Sequence, residues 1–342
     1  MNIVLDAMGS DANPLPEVEA ALQAARQWED TRVLLVGDEP RLKALLPRFG
    51  GAHPRVELVH AADAITMQDK GMKLALKAKR KNSQTSMAIG MDLVKEGQAE
   101  AFVTAGNTGG ALSTAYFRLG LLEGVERPGL TALFPVRGGY CVVLDIGANP
   151  ECKPEHLLQF AAMGSVYARI ALGVERPRVG LISNGEEAGK GNELVKGTYP
   201  LLEASGLNFI GNVEGKELFG GEAEVAVTDG FTGNVVLKSS EAVAKLMTDL
   251  LKEHLMSSTR TKIGALLAKP AFEALKKTLD PHETGAAPLL GVNGLVFIGH
   301  GRSDARALVN AIRAARHAVQ NHLLESVSNA IREQLKTLGS AA

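Results

Sequence analysis

Residues 99–120 read AEAFVTAGNTGGALSTAYFRLG. The first part is a short, unbroken apolar run of strand character, and the last part repeats apolar residues at helical spacing. Between them Gly106, Asn107, Thr108, Gly109 and Gly110 make a turn that opens the helix. A strand passing through a glycine-rich turn into a helix is the building unit of α/β proteins, and that turn is where they hold anions. Glycine lets backbone N–H groups approach an oxyanion closely, and the helix start adds its positive dipole end. Neither the GxGxxG of dinucleotide sites nor the GKS/T of a P-loop is present. The loop suits a small anion that neutral donors hold while it still reacts.

Outward from this unit the same grammar repeats. NIVLDA, RVLLVG, RVELVH, LTALFPV, CVVLDIG, RVGLIS, LNFIGN, EVAVTD and GLVFIGH are further short runs, mostly continuous in hydrophobicity, as parallel strands covered on both faces should be. Stretches of helical period fall among them at 14–28, 39–47, 83–97, 109–121, 154–171, 190–205 and 232–256. The pattern predicts an α/β fold with a doubly wound, mostly parallel sheet, one unit over 1–342 with room for two lobes around a cleft. Two segments stand outside the alternation. Residues 238–280 carry helical apolar spacing on both sides of SSTRTKIG and predict a projecting helical hairpin. Residues 303–337 predict a C-terminal amphipathic helix, capped by Ser303 and interrupted near Asn321. The stretch TGAAPLLGVNGLVFIGHG (284–301), broken by Pro288 and glycines, reads as a loop and then one buried strand.

Composition narrows the function. With 45% hydrophobic and 22% charged residues, the 342-residue chain is a globular protein. A formal net charge of −1 gives no general pull on nucleic acid or anionic lipid. No aromatic residue interleaves the main basic cluster, which argues against nucleic-acid stacking. Cys141 and Cys152 form no CxxC, so neither a disulfide framework nor a zinc site is expected, and a reducing cytoplasm fits. MNIVLDAMG enters a strand at once, so no signal peptide is expected.

In parallel sheets ligands gather beyond the carboxyl ends of the strands. Five such loops set glycine beside small polar residues. They are LDAMGSDANP with Asp6 and Gly9, FVTAGNTGG, LDIGANPECKPEH with Asn149 and Lys153, ISNGEEAGKGNE with Glu186, Lys190 and Asn192, and VTDGFTGN with Asp229 and Asn234. His300 ends the last strand. Loops that meet would form one polar cleft. Each residue also has a plainer role, because Asn, Asp and Thr beside glycine are ordinary turn and cap residues, and a strand-end His can be structural. No metal-ligand spacing is evident and no cofactor is expected. Cys141 reads as a buried small residue, and Cys152, beside Lys153, as a nucleophile only with a basic partner. Lys70, Lys73, Lys77, Lys79, Arg80 and Lys81 cluster in DKGMKLALKAKRKNSQ, either a docking patch for an acidic partner or a solvated helix face.

Taken in order over nearly the whole chain, DAMGSDANP, MAIGMDLVKEGQAEAFVTAGNTGGAL, LDIGANPECKPEHLLQFAAMGSVYA, NGEEAGKGNELVKGTYPLL, NFIGNVEGKELF, DGFTGNVVLK and APLLGVNGLVFIGHG resemble the bacterial phosphate acyltransferases that use acyl carrier protein. Ser10, Asn13 and HETGAAP depart from that family's more usual Gly, Ala and Tyr-Gly-Gly-Ala-Pro, and none of these removes a donor the chemistry needs. The resemblance implies the fold of the phosphate acetyltransferases and isopropylmalate dehydrogenases, in a homodimer. It implies transfer of an acyl group from acyl-ACP to inorganic phosphate, the acyl phosphate passing to a membrane glycerol-3-phosphate acyltransferase. It also implies a cytoplasmic protein in peripheral contact with the membrane.

On that reading phosphate, already an anionic nucleophile, attacks the thioester directly. A thiol of pKa about 8.5 leaves with little acid help, so no protein nucleophile is required. The enzyme supplies positioning and charge stabilisation. Asn107, Thr108 and the N–H groups of Gly109 and Gly110 are expected to hold phosphate, and Lys190 to neutralise it or the oxyanion. Asn149, Asn192 and Asn234 would complete the cradle, with Asp229 and Glu186 orienting the donors. Carrier docking is expected on Lys70, Lys73, Lys77, Arg80 and Lys81, or on the hairpin with Arg260 and Lys262. The hairpin's Leu266, Leu267 and Phe272 would line an acyl groove, meet lipid or pack between subunits. A phosphotransacylase acting on a coenzyme A thioester and a non-catalytic phosphometabolite-binding protein are the alternatives.

Overall fold

Ile3, Val4 and Leu5 are consecutive and all fully buried. Neighbouring strand residues point to opposite faces, so helices must cover both sides of their sheet. The structure, a computed structural model, describes residues 1–341, and their side chains except those of 281, 284 and 337–341. Its strands are β1 (Asn2–Asp6), β2 (Arg32–Gly37), β3 (Val56–His60), β4 (Ala101–Thr104), β5 (Gly129–Val136), β6 (Gly139–Leu144), β7 (Val179–Ile182), β8 (Phe209–Val213), β9 (Val225–Val227), β10 (Ala286–Leu290) and β11 (Leu295–Gly299). They form one sheet in the order 3-2-1-4-11-10-5-6-9-7-8. Helices Leu15–Gln27, Pro154–Leu172 and Ala305–Gln320 bury their apolar stripes on one face. Ser86–Lys95 and Thr108–Arg118 do so on the other.

The α/β, mostly parallel architecture is the one the sequence predicts. The contacts β11–β10, β10–β5 and β5–β6 are antiparallel and adjacent in the sheet. They reverse its direction, so that β1–β4 and β11 run one way and β6–β9 the other. Residues 284–301 hold two strands rather than a loop and one strand. Pro288 hides the first of them from sequence reading, yet it is tolerated because β10 is short and borders an opening. That opening is a split in the sheet. β10 and β5 pair only through Leu289–Leu130 and Leu290–Gly129, and beyond these 286–288 and 131–136 part.

The helical stretch expected at 232–256 is present, and the 238–280 segment continues from it, its first arm not a separate helix. One helix runs Gly230–Leu255, and two shorter ones follow, Thr259–Leu267 and Lys269–Leu279. No residue from 234 to 280 is buried. The C-terminal helices Ala305–Gln320 and Leu323–Ala341 break at Asn321–His322, where His322 has φ 52°. Asp304, not Ser303, caps the first of them, its carboxylate accepting the Ala307 N–H at 2.9 Å. Among the described residues no helix is long and apolar enough to cross a membrane.

Candidate active site

The split encloses a cleft of about 750 Å³. One rim is made by Gly106, Thr108 and Gly109 after β4, by His300 and Gly301 after β11, and by Asp11 after β1. The base carries Ile146 and Gly147 after β6 and Asn234 of the Gly230–Leu255 helix, with Lys238 one turn further along. The far wall is β5, with Leu130, Ala132 and Phe134, joined by Tyr140 of β6. Strand register explains why loops from opposite ends of the sheet share this space. Leu130 pairs with Leu289, which pairs with Val296, three residues below the end of β11, or about 10 Å. The Ile146 N–H donates to the Leu130 carbonyl at 3.0 Å, which brings the loop after β6 to the base.

The loop after β7 does not join them. It leaves the reversed end of the sheet two strands beyond β6. Lys190, Glu186 and Asn192 are exposed and lie outside the cleft lining. Asn192 caps helix Glu193–Glu203 by accepting the Val195 N–H, and Asn212 donates to the Glu187 carbonyl, holding the loop beside β8. Glu186 and, well beyond it in the sequence, the pair Glu214 and Glu217 bring oxygens within 4.8 Å of one another there, a group able to hold a cation. The Glu217 charge raises the Glu186 pKa, and Lys216 lies 3.2 Å from Glu217.

Most of the polar residues read from the sequence build loops. Buried Asp6 accepts the Thr104 hydroxyl at 2.7 Å and the Met8 N–H at 3.1 Å, and burial raises its pKa. The Thr104 oxygen in turn accepts the Gly106 N–H at 2.9 Å. Asn107 accepts the Gly110 N–H and donates to the Thr66 and Asp69 carbonyls, all at 3.0 Å, which uses its whole amide. A Cβ on Gly9 would sit 2.8 Å from the Gly106 nitrogen and from the Thr104 hydroxyl, so glycine lets the loops after β1 and β4 touch. What remains free is the Thr108 hydroxyl and, among the described residues, the Thr108 and Gly109 N–H groups at the helix start.

The lower loops follow the same logic. Asp145, fully buried with a pKa raised by burial, accepts N–H groups from Leu130, Gly147, Ala148 and Asn149. The Asn149 side chain donates to Asp145 and to the Pro128 carbonyl. Asp229 caps Gly230–Leu255, one oxygen accepting the Thr232 N–H and the other its hydroxyl, both at 2.8 Å. Lys153 is exposed outside the cleft lining, its N–H donating to His156. Burial pushes both thiols, Cys141 and Cys152, up to about 12, which leaves neither as a ready nucleophile.

The structure thus brings Thr108, Gly109, Asn234, His300 and Asp11 of the loop LDAMGSDANP into one cleft and adds Lys238. Lys238 was visible in DGFTGNVVLK only as i+4 from Asn234, a spacing that puts both on one helix face. Its ammonium lies 2.9 Å from Glu241. Partial enclosure by the cleft, then the Lys238 and Arg302 cations, push the His300 pKa below its usual range, so the ring is neutral near pH 7.

Outside the cleft, Lys73 and Lys77 pair with buried Asp69 at 2.7 and 3.2 Å, and the Lys73 bond is the main cause of the depressed Asp69 pKa. Lys70, Arg80 and Lys81 remain exposed on helix Gly71–Lys79 and its flanks, as do Arg260 and Lys262. Leu266 and Leu267 are 71% and 79% exposed, Phe272 is half-buried, and none of the three lines the cleft.

Residues 1–326 match the fatty acid synthesis protein family. The chain is 46% identical over 340 residues to a phosphate acyltransferase of Pelotomaculum thermopropionicum, covering 99% of this chain and 97% of that one. It is 48% identical over 315 residues to a phosphate acyltransferase of Acidobacterium capsulatum, covering 92% of each. Among solved structures, a phosphotransacetylase from Streptococcus pyogenes superposes with a TM-score of 0.60 at 16% identity, covering 93% of this chain and 94% of that one. EutD phosphotransacetylase from Staphylococcus aureus gives 0.58 at 16% identity, covering 94% of each. Those two likenesses concern the fold. The near-full-length identities go further: the chain belongs to the phosphate acyltransferases of the fatty acid synthesis protein family and is an acyltransferase.

Proposed function

We propose that the protein transfers a fatty acyl group from acyl-acyl carrier protein to inorganic phosphate, giving acyl phosphate and the free carrier thiol. One observation carries this reading. The uncommitted donors of Thr108 and Gly109 share a cleft with Lys238, Asn234 and a neutral His300, and neither thiol is fit to take the acyl group. Phosphate binds at the helix start through the Thr108 hydroxyl and the two N–H groups, and Lys238 offsets its charge. A phosphate oxygen attacks the thioester carbonyl carbon, and Asn234 donates to the oxyanion that forms. The C–S bond then breaks, the electron pair leaves on sulfur, and His300 steadies the thiolate. No acyl-enzyme forms.

Carrier docking fits the exposed Lys70, Arg80 and Lys81 beside Met72 and Leu76, a basic rim around an apolar centre. The unburied apolar residues of 234–280 support a homodimer and peripheral contact with the cytoplasmic membrane, where a glycerol-3-phosphate acyltransferase would consume the product. The test is thiol release from palmitoyl-ACP, with and without phosphate, followed by trapping of acyl phosphate. Release should require phosphate, and Lys238→Ala should lower kcat/KM for phosphate about thirtyfold, or about 2 kcal/mol. Release without phosphate overturns the proposal, and equal turnover of palmitoyl-CoA favours the coenzyme A reading.

A further inference from the structure

The cleft has one wall that is apolar along β5, where Tyr140 of β6 brings a side-chain hydroxyl at its upper end. Leu130, Ala132 and Phe134 alternate along β5 and present the same face, and all three line the cleft together with Leu133 and Pro135 at the strand's open edge and with Leu237 and Phe219. From Leu130 to Phe134 is about 13 Å of strand, the length of about ten methylenes. The lower end adjoins the reacting groups, because the Leu130 carbonyl accepts the N–H of Ile146, next to Gly147 at the base. The upper end is marked by aromatic rings. Phe134 and Phe219 have centroids 6.3 Å apart, and the Arg137 N–H donates to the Phe219 carbonyl at 2.9 Å, tying helix Gly215–Gly220 to the β5–β6 turn. β6 pairs along one edge of this stretch of β5, and the other edge has no strand partner, because β10 pairs only with Gly129 and Leu130.

We propose that this wall is the acyl-chain subsite: the fatty chain lies along β5 from Leu130 to Phe134, and the Phe134–Phe219 pair ends it. The assignment rests on the acyl transfer to phosphate argued above and names where that reaction's apolar substrate sits. Its occupant follows from the continuity of the wall with the donors and from its apolar lining between Leu130 and Phe134, with the Tyr140 hydroxyl only beyond that end. The exposed Leu266 and Leu267 of the projecting segment are not needed for it. Each methylene laid on the wall contributes roughly fourfold to kcat/KM, and the gain stops at the rings. Ala132, midway along, is the residue whose size sets the depth available.

The experiment measures phosphate-dependent thiol release from butyryl-, decanoyl- and palmitoyl-ACP with wild type, Ala132→Phe and Phe219→Ala, and records melting curves of all three. Ala132→Phe should lower the palmitoyl-to-butyryl ratio of kcat/KM at least tenfold. Phe219→Ala, a change on a well-exposed residue, should raise the palmitoyl-to-decanoyl ratio severalfold. Ratios unchanged in both variants overturn the subsite, and should Ala132→Phe fail to fold, an unchanged ratio in Phe219→Ala does so alone. A wild type that releases no thiol from any of the three substrates overturns the acyl-transfer reading instead.

Discussion

Replacing Glu17 by Gln should remove a pH dependence of folding that the structure builds in. Glu17, on helix Leu15–Gln27, is fully buried; one carboxylate oxygen accepts the Ser10 N–H at 3.0 Å, and the other has no partner among the described residues. Burial is the main force that pushes its pKa from 4.5 to about 7, and the nearby Asp6 adds to it. The folded state therefore holds this proton more tightly than the unfolded chain. That stability is fully present below pH 4.5 and is lost as pH rises through about 7. At about 1.4 kcal/mol per unit, the loss between pH 5 and 8 is about 2–3 kcal/mol. Gln keeps an acceptor for the Ser10 N–H and offers its NH₂ to the Ser10 hydroxyl, which is also buried without a partner. Urea melts of wild type and Glu17→Gln at intervals from pH 5 to 8 should nearly coincide at the acid end. They should diverge by about 2 kcal/mol at the alkaline end, the variant being the more stable. A stability difference that stays constant across this range would refute the reasoning.

Lys190→Ala should change kcat/KM for phosphate less than about threefold, under about 1 kcal/mol, because the residue sits outside the cleft. A larger loss in steady-state kinetics would return the loop after β7 to the chemistry. His300 should give kcat/KM an acid limb below the ordinary imidazole range; Lys238→Ala removes a neighbouring cation and should move that limb to higher pH, so a limb that stays put or moves down removes His300 from the site. Gly9→Ala has no room between the Gly106 nitrogen and the Thr104 hydroxyl and should cost about 1–3 kcal/mol in denaturant melts. A melt unchanged from wild type would mean that the two loops do not touch there.

Fold class was legible because burial on both faces writes strands as continuous apolar runs, as in NIVLD of β1 and RVLLVG of β2. β10 was hidden since Pro288 mimics a loop, and with it the reversal of the sheet. That reversal decides which strand-end loops can meet, so a five-loop cleft is consistent with the sequence while the structure brings only part of it together. Asn107, Asn192 and Asp229 show the other limit. A small polar residue before a helix looks the same whether its donors await a ligand or cap the helix, and hydrogen bonds within the chain settle it. Thr108 and Gly109 remain available because the first turn of a helix has no internal acceptors, which the sequence did signal. Lys238 carried no signal beyond its spacing, since an ammonium beside Glu241 on an amphipathic helix looks like any solvated ion pair.

Two residue pairs join β10 to β5, against five between β1 and β2. The other strand neighbours share three to six pairs, so turning one half of the sheet against the other at this seam would disturb the fewest ladder bonds. On the proposed assignments phosphate rides on one half and the acyl chain on the other. A rotation about the seam would change the distance between nucleophile and carbonyl while leaving the strand pairs on either side intact.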